Sequence, residues 1–443
     1  MSPDATLTQP LAGSHGATPG NSSSDAQLAP GDIAVGVVIG RASEYFDFFV
    51  FGIAAVLVFP DVFFPFADRL HGILFAFTVF ATAFVARPFG TLAGMAVQRR
   101  FGRGTKLTAA LFLLGTATVT MALLPGYATS GALAIVLLVA CRIAQGIALG
   151  ASWDGLPSLL AMNAAPNRRG WYSMLGQLGA PLGFLIACGL FAFLRDNLDA
   201  ADFLAWGWRY PFFAAFAINV VALFARLRLV VTHEYERALE SRELEPCHVG
   251  ELFREQGGNV VIGAFAALAS YALFHLVTIF PLSWVILYSQ QDLAAFFRVE
   301  MLGALLAALA MPASGWIADR IGRRSMLAAS ALAIAVFSAS APWLLGGGVH
   351  GERLFILVGN VLLGLSYAQS AGSVTSNFLP RLRYTGAALT ADLAWLIGAA
   401  FAPLVALALS ARFGLAAVSL YLLSGAICTL VALRSNRVAA AIR

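Results

Sequence analysis

Twelve apolar segments of twenty or more residues follow one another along this 443-residue chain. They run roughly over 33–60, 70–97, 105–124, 131–160, 171–194, 208–230, 258–288, 292–317, 325–346, 352–377, 384–410 and 415–434. The hydrocarbon core of a bilayer takes about 20 residues of helix, so each segment reads as a spanning helix. Barrel strands would alternate apolar and polar over about ten residues; these segments are apolar all round. Only 12% of the residues are charged and 59% are hydrophobic, whereas soluble domains run near one quarter charged. That excludes a water-soluble enzyme. The expected fold is an all-α polytopic membrane protein, with twelve transmembrane helices in two six-helix pseudo-symmetric halves.

Residues 1–32 are rich in Ser, Gly, Pro and Ala, without the basic start and hydrophobic core of a secretory signal. They read as a disordered tail. Six-helix bundles are expected over 33–230 and 258–434, joined by a linker over 231–257 in which Thr232 could cap an amphipathic helix, with a short tail over 435–443. Placing the 28 basic residues on this frame leaves nineteen on the side of the termini, six on the other, and Arg41, Arg87 and Arg142 inside spans. The positive-inside rule then puts both termini and the linker in the cytoplasm. Lys106 is the one lysine and no basic cluster carries interleaved aromatics, so nucleic acid is a poor partner. The cysteines (Cys141, Cys188, Cys247, Cys428) lack metal-type spacing and read as small hydrophobes; no cofactor or metal is expected.

The halves repeat each other. GMAVQRRFGRG (94–104) follows the second segment and GWIADRIGRR (315–324) the eighth; APNRRG (165–170) follows the fourth and LPRLRYTG (379–386) the tenth. Matching charged loops at matching places indicate internal duplication.

GWIADRIGRR resembles the signature loop of the major facilitator superfamily. Further motifs, SEYFDFFVFG (43–52), VARPFG (85–90), RIAQGIALG (142–150), NRRGWY (167–172), QLGAPLG (177–183) and LPRLRYTG, resemble its metabolite:H+ symporter family. That family includes permeases for α-ketoglutarate, citrate, shikimate and proline/betaine, and the resemblance runs from about residue 33 to 434. It implies a gating role for the loop residues Arg99, Arg100, Gly102 and Arg103, and for Asp319, Arg320, Gly322, Arg323 and Arg324. It also marks Arg142 and Gln145 within RxxQG. Two departures stand out. Arg99 occupies the place of the first half's signature aspartate. In GASWDG (150–155), Ser152 replaces a glutamate common in relatives, and an acid returns only at Asp154, about 200° further round a helix.

A charge inside a span costs about 2.5 kcal/mol or more on insertion scales, so each invites an explanation. Glu44 and Asp47 lie roughly 16 and 21 Å into the first span, Arg87 roughly 18 Å from the cytoplasmic end of the second, and Asp392 roughly 14 Å into the eleventh. The spacing of Arg41, Glu44 and Asp47, i, i+3, i+6, suggests one shared face. An Arg–carboxylate cluster could bind an anionic substrate and exchange a proton, the reading favoured because intramembrane ionisable groups usually line pathways; the alternative is a static ion-pair lock. Glu44, Asp47, His275 and Asp392 are the candidate proton carriers. Arg87, Arg142, Gln145, Tyr45, Trp153 and Tyr271 are the candidate substrate residues, with Trp284 and Trp395 as further cavity candidates. For Arg142 and Asp392 a pairing role competes with binding. For His275 the alternative is a histidine satisfied by a neighbouring helix. Pro88, Pro157, Pro181, Pro281, Pro312 and Pro403 permit kinks, and Gly176, Gly179, Gly183 and Gly398 close helix approach.

The expectation is a proton-coupled symporter of small organic acids or zwitterions in a bacterial inner membrane, working as a monomer with substrate, protons and bilayer as its partners. A proton-coupled exporter or drug antiporter of the same fold is the alternative. No Walker loop, zinc-protease helix or catalytic triad points to an enzyme.

Overall fold

The computed structural model describes residues 30–153, 155, 164–230, 245–371 and 378–441. Asp154, Pro157, Thr232 and the tail over 1–29 lie outside the described residues. The helices are α1 (Pro30–Leu57), α2 (Arg69–Phe101), α3 (Arg103–Leu123), α4 (Ala132–Ala151), α5 (Arg169–Asn197) and α6 (Tyr210–Val230) in the first half. The second half has α7 (Val249–Tyr288), α8 (Leu293–Ile321), α9 (Arg323–Gly346), α10 (Gly348–Tyr367), α11 (Pro380–Phe413) and α12 (Leu415–Ala441). Eleven of these are long and apolar enough to cross a bilayer; α1, with Arg41, Glu44 and Asp47 in its middle, is the twelfth span. Large apolar side chains such as Phe112, Leu309 and Val336 are exposed on the outer faces, where lipid rather than water is the solvent.

The duplication seen in the motifs is a duplication of packing. In the first half α2 lies on α4, α3 on α6 and α1 on α5; in the second α8 lies on α10, α9 on α12 and α7 on α11. The halves then meet along two seams, α5 against α8 and α2 against α11. One apolar core runs across both halves. The i, i+4 glycines of RIAQGIALG explain the α2–α4 contact: a Cβ on Gly146 would stand 2.2 Å from the Ala83 carbonyl oxygen, and one on Gly150 2.0 Å from that of Arg87.

Among the described residues, three spans are interrupted. α5 breaks near Gly176, α7 at Ala267 and Ile279, and α11 at a π-helical turn over Trp395–Ala399. Pro181, Pro281 and Pro403 each sit in the first turn of the helix that restarts, where the missing N–H costs nothing. α7 begins at Val249, inside the stretch expected as linker, and bends at Gln256. Its first turns are tied to α11: Arg381 pairs with Glu251, and with Glu255 at 2.7 Å.

Both described chain ends lie on one side, here the terminal side; the other is the distal side. Every hydrogen bond joining the halves among the described residues is at mid-depth or on the terminal side. On the distal side they meet through apolar contacts, such as Ile279 against Gly52 and Met301 against Gly189.

Candidate functional site

At mid-depth α1, α2, α4 and α11 line a small cavity of about 30 Å³, walled by Arg41, Glu44, Tyr45, Phe48, Phe84, Arg87 and Trp395 among others. Arg87 comes from the first half, and its Nε donates to Asp392 Oδ1 of the second at 2.8 Å. Thr91, one turn on, donates to the other Asp392 oxygen at 2.5 Å. Asp392 is 2% exposed. A buried carboxylate thus has two donors from the opposite half, and it lies one turn before the π-helical Trp395, whose ring stands 5.8 Å from the Arg87 guanidinium.

Glu44 is in the same cavity, paired with Arg41 at 2.7 Å and accepting from Ser152 at 3.3 Å. Ser152 is therefore a donor to an acid.

Asp47 is elsewhere. Residues three apart advance 300°, so each step from Arg41 to Glu44 to Asp47 drifts by about 60°. The shared face expected from the spacing ends at Glu44. Asp47 turns into the first half, where it accepts from Thr118 (2.7 Å), Gln145 (3.0 Å) and Asn219 (3.0 Å). Gln145 in turn accepts from Arg142 at 2.9 Å, and the Arg142 guanidinium lies 4.0 Å from the Phe51 ring centroid. Each charge-assisted hydrogen bond contributes about 1.5–3 kcal/mol, so three of them offset the cost of burying one carboxylate. Arg142 and Gln145 belong to this network and do not line the cavity.

An aromatic partition closes the centre. Tyr45 and Tyr367 hydrogen-bond hydroxyl to hydroxyl across the halves. Tyr271 lies edge-on to Trp395 at 5.1 Å, and Phe274 stacks on Phe49 at 5.7 Å. His275 is caged by Phe48, Phe80, Phe84, Phe274 and Trp395, and among the described residues neither ring nitrogen has a hydrogen-bond partner. It is thus not the satisfied histidine weighed above. Trp153 and Trp284 line no part of the cavity: the Trp153 carbonyl belongs to the terminal side, and the Trp284 ring packs on Tyr288 near the distal end of α7.

The terminal side carries two latches related by the duplication. Asp319, at the end of α8, accepts from the N–H groups of Gly170 (2.6 Å) and Trp171 (3.2 Å) in the first turn of α5. Gly170 leaves room for that approach, since a Cβ there would meet Asp319 Oδ1 at 2.8 Å. In the other seam Arg99, at the place of Asp319, is exposed, and its neighbours do the joining. Lys106, 2% exposed, donates to Gln98 (2.9 Å), to the Trp153 carbonyl (2.6 Å) and to the Tyr384 hydroxyl of α11 (2.8 Å). Tyr384 holds in the duplicate the place of Gly170. Lys106, Gln98 and Tyr384 were not candidates in the sequence; the signal was there in the solitary lysine of an arginine-rich chain.

The remaining loop residues shape these turns. Gly102 and Gly322 adopt φ of 82° and 87° between consecutive spans, conformations that favour glycine. Arg320 lies 3.4 Å from the Trp316 ring centroid, Arg323 donates to the Ala371 carbonyl at 3.0 Å and Arg324 to that of Leu433. Arg103 is buried, and Arg100 lies over the Phe101 ring.

The profile of the Major Facilitator Superfamily matches residues 37–391. The chain is 36% identical over 408 residues to the inner membrane metabolite transport protein YhjE of Escherichia coli, covering 90% of this chain and 92% of that one. It is 30% identical over 407 residues to the shikimate transporter of Escherichia coli, covering 88% and 91%. Among solved structures, the proton:xylose symporter XylE superposes with a TM-score of 0.69 at 17% identity, over 91% of this chain and 94% of that one. At that identity the likeness is one of fold.

Proposed function

Because the chain belongs to the Major Facilitator Superfamily and is a multi-pass transporter, we propose that it is a proton-coupled symporter of a small organic anion or zwitterion in a bacterial inner membrane, with both termini cytoplasmic. The observation that carries the proposal is the ion pair between Arg87 and Asp392, made across the two halves at the wall of the central cavity.

An arginine fork held by a carboxylate is a carboxylate-binding group already in use. While Asp392 is ionised it occupies Arg87 and repels an incoming anion. A proton on Asp392 removes that competition and leaves Arg87 to the substrate carboxylate. Proton and substrate therefore assist each other's binding, as linkage requires. The aromatic walls, Phe48, Phe84 and Trp395, suit the apolar body of an organic acid or the cationic end of a zwitterion. Glu44, held by Arg41 in the same cavity, is the second proton candidate, and His275 stands behind Phe48 and Trp395. Asp47 with Arg142 and Gln145 stabilises the first half. Transport follows when the central partition and the terminal-side latches open in turn with the distal side, and one chain contains all the groups required.

The test is uptake by proteoliposomes of the purified protein. With acid outside, the wild type should accumulate an organic acid or betaine, and Asp392→Asn should lose accumulation while retaining exchange at equal pH. Asp392→Asn with wild-type proton-driven accumulation would refute the assignment. Uphill transport only with acid on the opposite side would make the protein an antiporter.

A further inference from the structure

A second acid is sealed between the halves, away from the cavity. Glu300 of α8 is 0% exposed, and among the described residues neither of its carboxylate oxygens has a well-aligned hydrogen-bond donor. It stands seven residues after Leu293, where α8 begins, so roughly 10 Å below the distal end. Cys188 of α5 faces it from the first half, and Asn360 of α10 faces it from its own half. The Asn360 amide is the one donor beside it among the described residues, and it is shared with the carbonyls of Ile356 (3.0 Å) and Val277 (3.3 Å). No arginine, lysine or histidine of α5, α7, α9 or α10 pairs with Glu300 among the described residues. The next residue, Met301, packs on Gly189 of α5 across the seam.

This setting differs in kind from that of Asp392. Asp392 has an arginine and a hydroxyl to hold its charge; Glu300 has neither. An ionised carboxylate buried without a counter-ion, beside a single shared amide, costs several kcal/mol, and the neutral acid costs far less. The α5–α8 seam therefore closes over a carboxylic acid, not a carboxylate. When α5 and α8 part on the distal side, water reaches the group and it can ionise.

We propose that Glu300 is a proton-binding site that licenses closure of the distal, periplasmic side, which shuts only after the Glu300 carboxylate has taken a proton from periplasmic water. The inference rests on the alternating-access reading above and adds a proton-binding step before substrate is enclosed. An empty carrier in alkaline surroundings is then held open outwards, and acid closes it.

The experiment reads closure directly and uses no substrate. Spin labels are placed at the exposed positions Asn197 and Gln290, which flank the distal ends of α5 and α8, in protein whose native cysteines are replaced by alanine. The distance between them is measured in nanodiscs from alkaline to acidic pH. The wild type should pass from a long to a short distance as pH falls. Glu300→Gln, neutral at every pH, should be short throughout, and Glu300→Leu should match it should the glutamine amide disturb the fold. A wild-type distance independent of pH, or a Glu300→Gln protein that responds as the wild type does, would overturn the proposal. Failure of proton-driven uptake would instead strike the symporter reading.

Discussion

Replacing Asp319 with asparagine should open the terminal side without touching the binding site. In the closed latch its two oxygens accept from Gly170 at 2.6 Å and Trp171 at 3.2 Å, both in the first turn of α5. A charged hydrogen bond contributes about 1.5–3 kcal/mol, and an anion at a helix N-terminus about 0.3–1 kcal/mol more. Asparagine keeps one acceptor, loses the charge and turns an amide N–H toward the other donor. Since the Trp171 bond is exposed to solvent, the low end applies, and the loss is about 1–2 kcal/mol. The latch joins the two halves, so the loss falls on the closed state alone and shifts the equilibrium by about 5–30-fold. The assay is the reaction of a Ser173→Cys thiol with an impermeant maleimide supplied from the terminal side. Ser173 is buried beneath the latch and donates to the Ala371 carbonyl. With the latch intact the thiol reacts only in the open fraction, so Asp319→Asn should raise its labelling rate by about the same 5–30-fold. Ligand-induced thermal stabilisation should survive. An unchanged labelling rate, or loss of ligand binding in a folded protein, would refute the reasoning.

Further outcomes are expected. Gly150→Ala would press a Cβ to 2.0 Å from the Arg87 carbonyl oxygen, and should destabilise the fold by about 1–3 kcal/mol, read as a lower thermal midpoint. Gly104→Ala, with nothing within 4 Å of the new methyl, should be neutral or stabilising by up to about 1 kcal/mol; equal losses in the two variants would contradict the α2–α4 packing argument. Tyr384→Phe removes a partner of Lys106 and should raise terminal-side labelling of Ser173→Cys as Asp319→Asn does, so an unmoved rate would strike the second latch. Arg87→Lys should weaken binding of carboxylates more than of uncharged analogues, because a point charge replaces a fork; equal losses in a thermal-shift titration would remove Arg87 from the site. A cysteine introduced at Gly250, an exposed position near the start of α7, should be labelled only from the cytoplasm.

Much of the fold can be read from the chain because the length of an apolar run is a local property, and one span needs about 20 residues wherever it occurs. The duplication is legible for the same reason, since its charged loops are contiguous. The site is not. The heights of Arg87 and Asp392 follow from counting residues, but they are 305 positions apart, and no count reveals that their helices share a seam. Arg41, Glu44 and Asp47 show the opposite failure. Their spacing looks like a stripe, yet the 60° drift per step turns Asp47 into a different network. The second latch was hidden because Arg99 breaks the motif there, and its work falls to Gln98, Lys106 and Tyr384. Glu300 belongs to no motif; only its burial singles it out.

The unequal chemistry of the terminal and distal sides gives temperature a direction. Opening the terminal side breaks hydrogen bonds such as those of Asp319 and Lys106, an exchange for water with no large heat-capacity signature. Opening the distal side wets apolar surface such as that of Ile279 and Met301, and hydrating apolar surface raises the heat capacity and becomes less unfavourable on cooling. A chilled carrier is therefore biased toward opening on the distal side and a warmed one toward keeping that side shut. The resting orientation of the protein thus depends on the temperature of the membrane it sits in.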